Sequence, residues 1–446
     1  MSYFDFFISV NEKLTIFIII LVSVLSMYYF IFRKTVISVL DPLFLVILSS
    51  CLGSVVVLFL YITERIENIY FYSYLLTQSA LYTGFFLFRR TKPFHLKLTS
   101  IIIEKEMTHD NGMRLMFYLM AMVNIVAQLI IYTTVGIPIF LESRLEIYVV
   151  GGGFGIINRI LQICYPVSLY CTMYYLLTRI NGHTTEKLLA RFYLVVLVIF
   201  GLLSGSRSFV LPMVYGFYFF LFLNRGNCKK SVVLIYAERG VHLVTAIIVL
   251  MFLSIGIKSQ FDLLGIVGTI AERVVSYGDV YFAAYPNRLI EQIQGVGTAN
   301  FLFGDLLRTL RLVPPQFVQQ PIGFEIYNLA NKTVEVLNGP NPRHNVLGYI
   351  NWGFSGSIVF SFICGILLSL GRNIFYTSTF KSHKAKIVVM LLFASVVNIE
   401  TDPPLFISSL NNIFLMGLGM LILEFIFEHS KKAQNFLGTQ SAMEQT

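Results

Sequence analysis

An all-α polytopic membrane protein of about eleven transmembrane helices, with a large helical loop on the outer side between spans 8 and 9, is what this sequence predicts. Three observations point to it. Of 446 residues, 56% are hydrophobic and only 13% are charged, with a mean hydropathy of +0.73, which is far from a soluble composition. Apolar runs bounded by polar residues recur along the chain, many at lengths near those a bilayer requires. Lysine and arginine concentrate in alternate connecting segments, the pattern that orients helices in a membrane.

The runs are roughly 14–32, 43–62, 69–88, 115–135, 160–177, 192–203, 209–223, 241–257, 352–370, 387–399 and 405–427. The first ends at Arg33 and Lys34 without a small-residue cleavage site, so it reads as a retained helix and not a signal peptide. The sixth, seventh and tenth are short, which fits helices that stop partway or line a cavity.

One set of connections (33–42, 89–114, 178–191, 224–240, 371–386 and the tail) holds 21 Lys and Arg, whereas the other (the N-terminus, 63–68, 136–159, 204–208 and 400–404) holds 5. The positive-inside rule then places the C-terminal tail in the cytoplasm and the N-terminus outside, and the same alternation puts 258–351 outside. The expected organisation is a bundle of spans 1–8 over 1–257, a capping loop over 258–351, spans 9–11 over 352–427 and a cytoplasmic tail over 428–446. The net charge of +9 is explained by basic loops at the cytoplasmic leaflet, and nucleic acid is excluded as a partner. Four of the five cysteines lie in apolar segments, so no disulfide framework or cysteine metal cluster is visible.

Few basic residues remain on the outer side, and a functional site is argued there. The long loop ends NGPNPRHNVLGYINWGFSG, where Pro340 and Pro342 stiffen the approach to Arg343 and His344. A fixed cation beside an imidazole suits acid/base work on an anionic substrate; the plainer alternative has Arg343 reaching headgroups and His344 capping the next helix. In PIFLESRLEIYVVGGGFGIINRI, Arg144 and Arg159 bracket a glycine-rich turn whose N–H groups can approach phosphate, or which serves only as a connector. In LLSGSRSFVLP, Arg207 offers a bidentate donor pair beside Ser204 and Ser206. The alternative pairs Arg207 with Glu400 or Asp402, and Asp279 is a further outer carboxylate. P-loop, dinucleotide, HExxH and nucleophile-elbow motifs are absent, and no metal site or cofactor is indicated.

The eleven spans, the SGSR turn between two short helices, the large late outer loop and the RHN entering the next helix together resemble the bacterial O-antigen polymerase (Wzy) family of oligosaccharide repeat-unit polymerases. Arg144 and Gly155 match an Arg-x10-Gly spacing described in some members, but no arginine of the long outer loop has a glycine eleven residues on. The resemblance implies a metal-independent glycosyltransferase of the GT-C type in lipopolysaccharide biosynthesis, set in the bacterial inner membrane with its active site facing the periplasm. Its substrates would be undecaprenyl diphosphate-linked oligosaccharides, with a chain-length regulator as partner. On this basis Arg207 and Arg144 are expected as principal diphosphate contacts, Arg343 and Arg159 as secondary ones, and His344 as the base that activates the acceptor hydroxyl. Ser204, Ser206, Asp279, Glu400 and Asp402 are candidate supports. The related O-antigen ligase is the nearest rival. A lipid-linked oligosaccharide flippase is less favoured, because its path would call for charges deep within several spans.

Overall fold

The computed structural model describes residues 1–36, 41–89, 111–141, 154–178, 184–204, 210–224, 275–313, 321–333, 339–377, 380 and 382–417. Among them no strand occurs. The helices are α1 (Tyr3–Glu12), α2 (Leu14–Phe32), α3 (Pro42–Ile62), α4 (Asn68–Phe88), α5 (Asn111–Thr134), α6 (Phe154–Leu177), α7 (Thr184–Leu203), α8 (Val210–Leu223), α9 (Asp279–Ala284), α10 (Leu289–Gln292), α11 (Thr298–Thr309), α12 (Ile322–Asn331), α13 (His344–Thr377), α14 (His383–Val396) and α15 (403–417).

Local chemistry sets several of these boundaries. The Asp41 carboxylate accepts the Leu43 N–H at 3.1 Å, with Pro42 in the first turn where a missing donor costs nothing. Asp402 starts α15 in the same way through Leu405 N–H at 3.0 Å. Ser2 and Asp5 form a reciprocal capping box on α1.

α2 buries Phe17, Ile20, Val24 and Tyr28, a stripe at helical spacing. Its opposite face carries exposed Ile18, Ile19, Val22, Tyr29 and Phe30. An apolar outer surface of that kind is unfavourable in water and suits a hydrocarbon surround. Among the described residues, five segments are long and apolar enough to cross a membrane: Leu14–Phe32, Pro42–Ile62, Gly112–Phe140, Ile156–Leu177 and His344–Thr377. α4 does not qualify despite its 21 residues, being rich in Tyr, Ser, Thr and Gln. α8 and α14 have 14 residues each, and the expected span 241–257 lies outside the described residues.

Two hydrophobic clusters form the interior. One joins α1 to α4 with α9 and the first two-thirds of α13; the other joins α5 to α8 with the end of α13 and α14. α13 and α14 contribute to both, so they tie the halves together. α4 and α13 meet backbone to backbone, because a Cβ on Gly84 would collide with the Phe362 carbonyl and one on Gly365 with that of Leu81. Small residues permit this approach where no hydrophobic effect drives helices together.

α13 is broken at Gly353, whose φ of 68° and ψ of −169° suit only glycine. The arms on either side fold back on one another. Nδ1 of His344 meets Ser361 Oγ at 2.8 Å, and a Cβ on Gly348 would sit 3.1 Å from Ser357. The arm 344–352 is therefore the short leg of a helical hairpin whose tip is Trp352 and Gly353.

Its foot lies deep in the bundle, against Ser49 of α3 and Thr77 and Gln78 of α4. Ser49 is the eighth of 21 residues in α3, and Gln78 the eleventh of 21 in α4. At ~1.5 Å per residue, Ser49 is about 20 Å from the C-terminal end of α3. Residues 339–351, expected in a capping loop, thus run into the bundle, and the helix expected to begin at 352 begins at His344. The run is polar enough to read as loop. Polar, irregular backbone is tolerated at such depth when protein surrounds it.

Pairs between connecting segments sort into two ends. At one, Arg288 meets Glu67, Tyr70 meets Glu291, Phe6 stacks on Phe282 and Arg159 meets Asp305. At the other, Arg372 meets Asp41, Arg89 meets Thr35, Arg114 meets Glu186 and Lys386 meets Asn224. None of these pairs joins the two sets of connections that the Lys and Arg count separates.

Candidate functional site

The residues Arg343, His344 and Asn345 are placed by the foot of the hairpin. Arg343 donates from one terminal nitrogen to Glu400 Oε1 at 2.7 Å, and from the other to the Ser49 carbonyl at 3.0 Å and to the Ser49 hydroxyl. Its guanidinium lies over the Tyr281 ring, 5.8 Å from the centroid. A Cβ on Gly53 would press on both groups, so glycine is what lets α3 come this close. Arg343 and Glu400 are 4% and 0% exposed, and burial of either charge alone would be costly.

His344 donates its backbone N–H to the Glu400 carbonyl at 3.2 Å. The imidazole is fully enclosed, with Ser361 on Nδ1 and no partner on Nε2. If Nδ1–H donates to Ser361, Nε2 becomes a free acceptor, which is the tautomer a base requires. Asn345 donates to Thr77 Oγ1 at 2.9 Å and Gln78 Oε1 at 3.3 Å, and accepts from Tyr281 O–H at 2.7 Å. Gln78 and Tyr82 both donate to Ser50 Oγ at 2.6 Å, which carries the network across α3 and α4.

Glu400 follows the 3-10 turn Val397–Ile399 and precedes α15, in a second backbone interruption facing the foot of the hairpin. Expected in an outer loop, it lies within the bundle, and its partner is Arg343. Asp402 caps α15, and burial pushes its carboxyl up to about 6, against the Leu405 hydrogen bond. Asp279 is half-buried, and burial raises it to about 7, opposed by the Val280 N–H and by the Arg343 charge.

Arg159 belongs to a different cluster. It is paired with Asp305 of α11 at 2.6 Å and with Asn412 of α15, which donates to Gln162 at 2.6 Å. It shares no partner with Arg343. Ser204 returns its hydroxyl to the Gly201 carbonyl at 2.6 Å, and so finishes α7. Arg144, Ser206 and Arg207 lie outside the described residues.

Ser49, Ser50, Thr77, Gln78 and Ser361 escaped sequence reasoning. A signal existed: each is a polar residue in the middle of an apolar run, where an unpaired group is expensive and so implies a partner. Tyr281 is fully enclosed beneath Arg343.

Comparison with protein-family models, curated proteins and solved structures finds no match to this chain.

Proposed function

We propose that the chain is an O-antigen or related oligosaccharide repeat-unit polymerase. In this reading it crosses the bacterial inner membrane eleven times, with its N-terminus in the periplasm and its C-terminus in the cytoplasm. It transfers the growing glycan from undecaprenyl diphosphate to a lipid-linked repeat unit at the periplasmic face. The observation that supports it beyond the resemblance is the RHN foot: a histidine held by Ser361, with Nε2 unpartnered, beside a buried arginine.

The reaction needs no redox partner. The sugar C1–O bond to diphosphate breaks, a bond from C1 to the acceptor oxygen forms, and the acceptor proton passes to His344 Nε2. Arg207 and Arg144 are the proposed principal contacts for the departing diphosphate, with Arg343 and Arg159 secondary, since fixed cations at developing charge lower the barrier. Arginines suffice for this without a metal ion. A chain-length regulator is the proposed partner.

Lipopolysaccharide from the deletion strain, run on a gel, tests the reading. Loss of a polymerase leaves core plus one repeat, whereas core alone shows a ligase. Lipid-linked repeats stranded on the cytoplasmic side indicate a flippase. Reintroduced His344→Ala should leave the single-repeat band; a full ladder overturns the base assignment.

A further inference from the structure

The Arg343–Glu400 pair is buried, yet only one side of it is saturated. Glu400 places Oε1 on Arg343 and leaves Oε2 without a well-formed hydrogen bond, with the Ser50 hydroxyl beside the carboxylate, and His344 leaves Nε2 without a partner. Both residues are 0% exposed. Two under-satisfied polar atoms flanking one cation are unusual in a native interior, where such groups are nearly always satisfied. They sit where two interrupted helices face each other. One is the foot of the nine-residue arm 344–352, whose N-terminal dipole adds to the arginine's attraction for negative charge. The other is the break at 400–402.

The geometry points to Glu400 as an exchangeable counter-ion: its carboxylate holds Arg343 until a phosphate group of the lipid diphosphate takes that place, and draws the arginine back when the product leaves. This rests on the polymerase reading. Exchange of one anion for another keeps the guanidinium paired throughout, so an uncompensated buried charge is avoided. Tyr281, Gly53 and the Ser49 carbonyl hold the guanidinium from the α3 side and stay in place during the exchange. Glu400 is thus a positioning residue, acting through Arg343.

The test uses the full-length protein in nanodiscs with inorganic pyrophosphate as probe. Competition of two anions for one cation is a coupling, and couplings of this kind span about 5–150-fold in affinity. Glu400→Gln should bind pyrophosphate about tenfold or more tighter than the parent, and Arg343→Gln added to it should abolish the gain. Equal affinity of parent and Glu400→Gln, both folded by circular dichroism and gel filtration, overturns the proposal. If Glu400→Gln does not fold, Glu400→Asp retains the charge but retracts it by one methylene, and should show a smaller gain; no gain there is equally decisive. In a polymerase assay, Glu400→Gln should lower KM and kcat together, because product is held too long; a fall in kcat at unchanged KM speaks against exchange. Should the deletion strain prove not to lack polymer, the polymerase reading fails while the pyrophosphate comparison still stands or falls on its own.

Discussion

Two buried arginine–carboxylate pairs occupy different levels of the bundle, and their surroundings differ. Arg372 meets Asp41 at 3.4 Å, donates to the Thr35 carbonyl at 2.6 Å and lies 4.8 Å over Tyr376, near the N-terminal end of α3 and the C-terminal end of α13. Asp41 also caps α3. The bonds from Arg372 to Asp41 and Thr35 tie one connection to another, as a clamp does. Arg343 and Glu400 lie mid-bundle, where two helices are interrupted, and a carboxylate oxygen and an imidazole nitrogen remain without well-formed hydrogen bonds. Buried ion pairs add little net stability over apolar residues of the same shape. The Arg372–Asp41 pair ties segments together, and the mid-bundle pair is where the proposed function places its chemistry.

The largest expected effect separates pairing from stability. Arg343→Ala leaves Glu400 charged and alone, and should cost ~3–5 kcal/mol, read as a lower melting temperature in detergent. Arg343→Met with Glu400→Leu should recover most of that loss and stay inactive; recovery of activity would put both pairs in the clamp class. Gly365→Val, which drives a side chain into the Leu81 carbonyl, should cost ~1–3 kcal/mol or more, because both levels hang on the contact between α4 and α13. Ser361→Ala should cost ~1–3 kcal/mol in stability, because it leaves the buried His344 Nδ1 unsatisfied, and reduce turnover markedly, because the ring loses the contact that fixes its tautomer. At the Arg372–Asp41 pair, Asp41→Asn with Arg372→Met should change stability by ~1 kcal/mol or less, because asparagine caps a helix as well as aspartate does, with activity per folded molecule unchanged. Arg288→Ala, on the exposed pair with Glu67, should leave both melting temperature and activity unchanged.

How much of this was legible in the sequence depends on what each residue needed. The runs 14–32 and 43–62 match α2 and α3 to within a residue, because apolar length alone decides them, whereas 69–88 matches the bounds of α4 although that helix is too polar to stand with them. α1 and the arm 344–352 were not legible as helices of the bundle. Ser2, Asp5 and Asn11 give α1 the polarity of a tail, and Arg343, His344, Asn345 and Asn351 give the arm that of a loop. Hydropathy cannot see that Ser49, Thr77 and Gln78 wait inside to satisfy them. The RHN motif stood out from the sequence, but its partner did not. Glu400 lay in a segment without basic residues, so any outer arginine could have claimed it, and only the fold brings Arg343 to it.

The most direct measurement compares His344→Ala with the double substitution Asp41→Asn and Arg372→Met in the deletion strain, with membrane levels of each protein matched. Lipopolysaccharide ladders should collapse to a single repeat for His344→Ala and persist for the Asp41 and Arg372 double variant. Ladders that persist for His344→Ala, or collapse equally for both, would show that the RHN foot holds the bundle together and does nothing more.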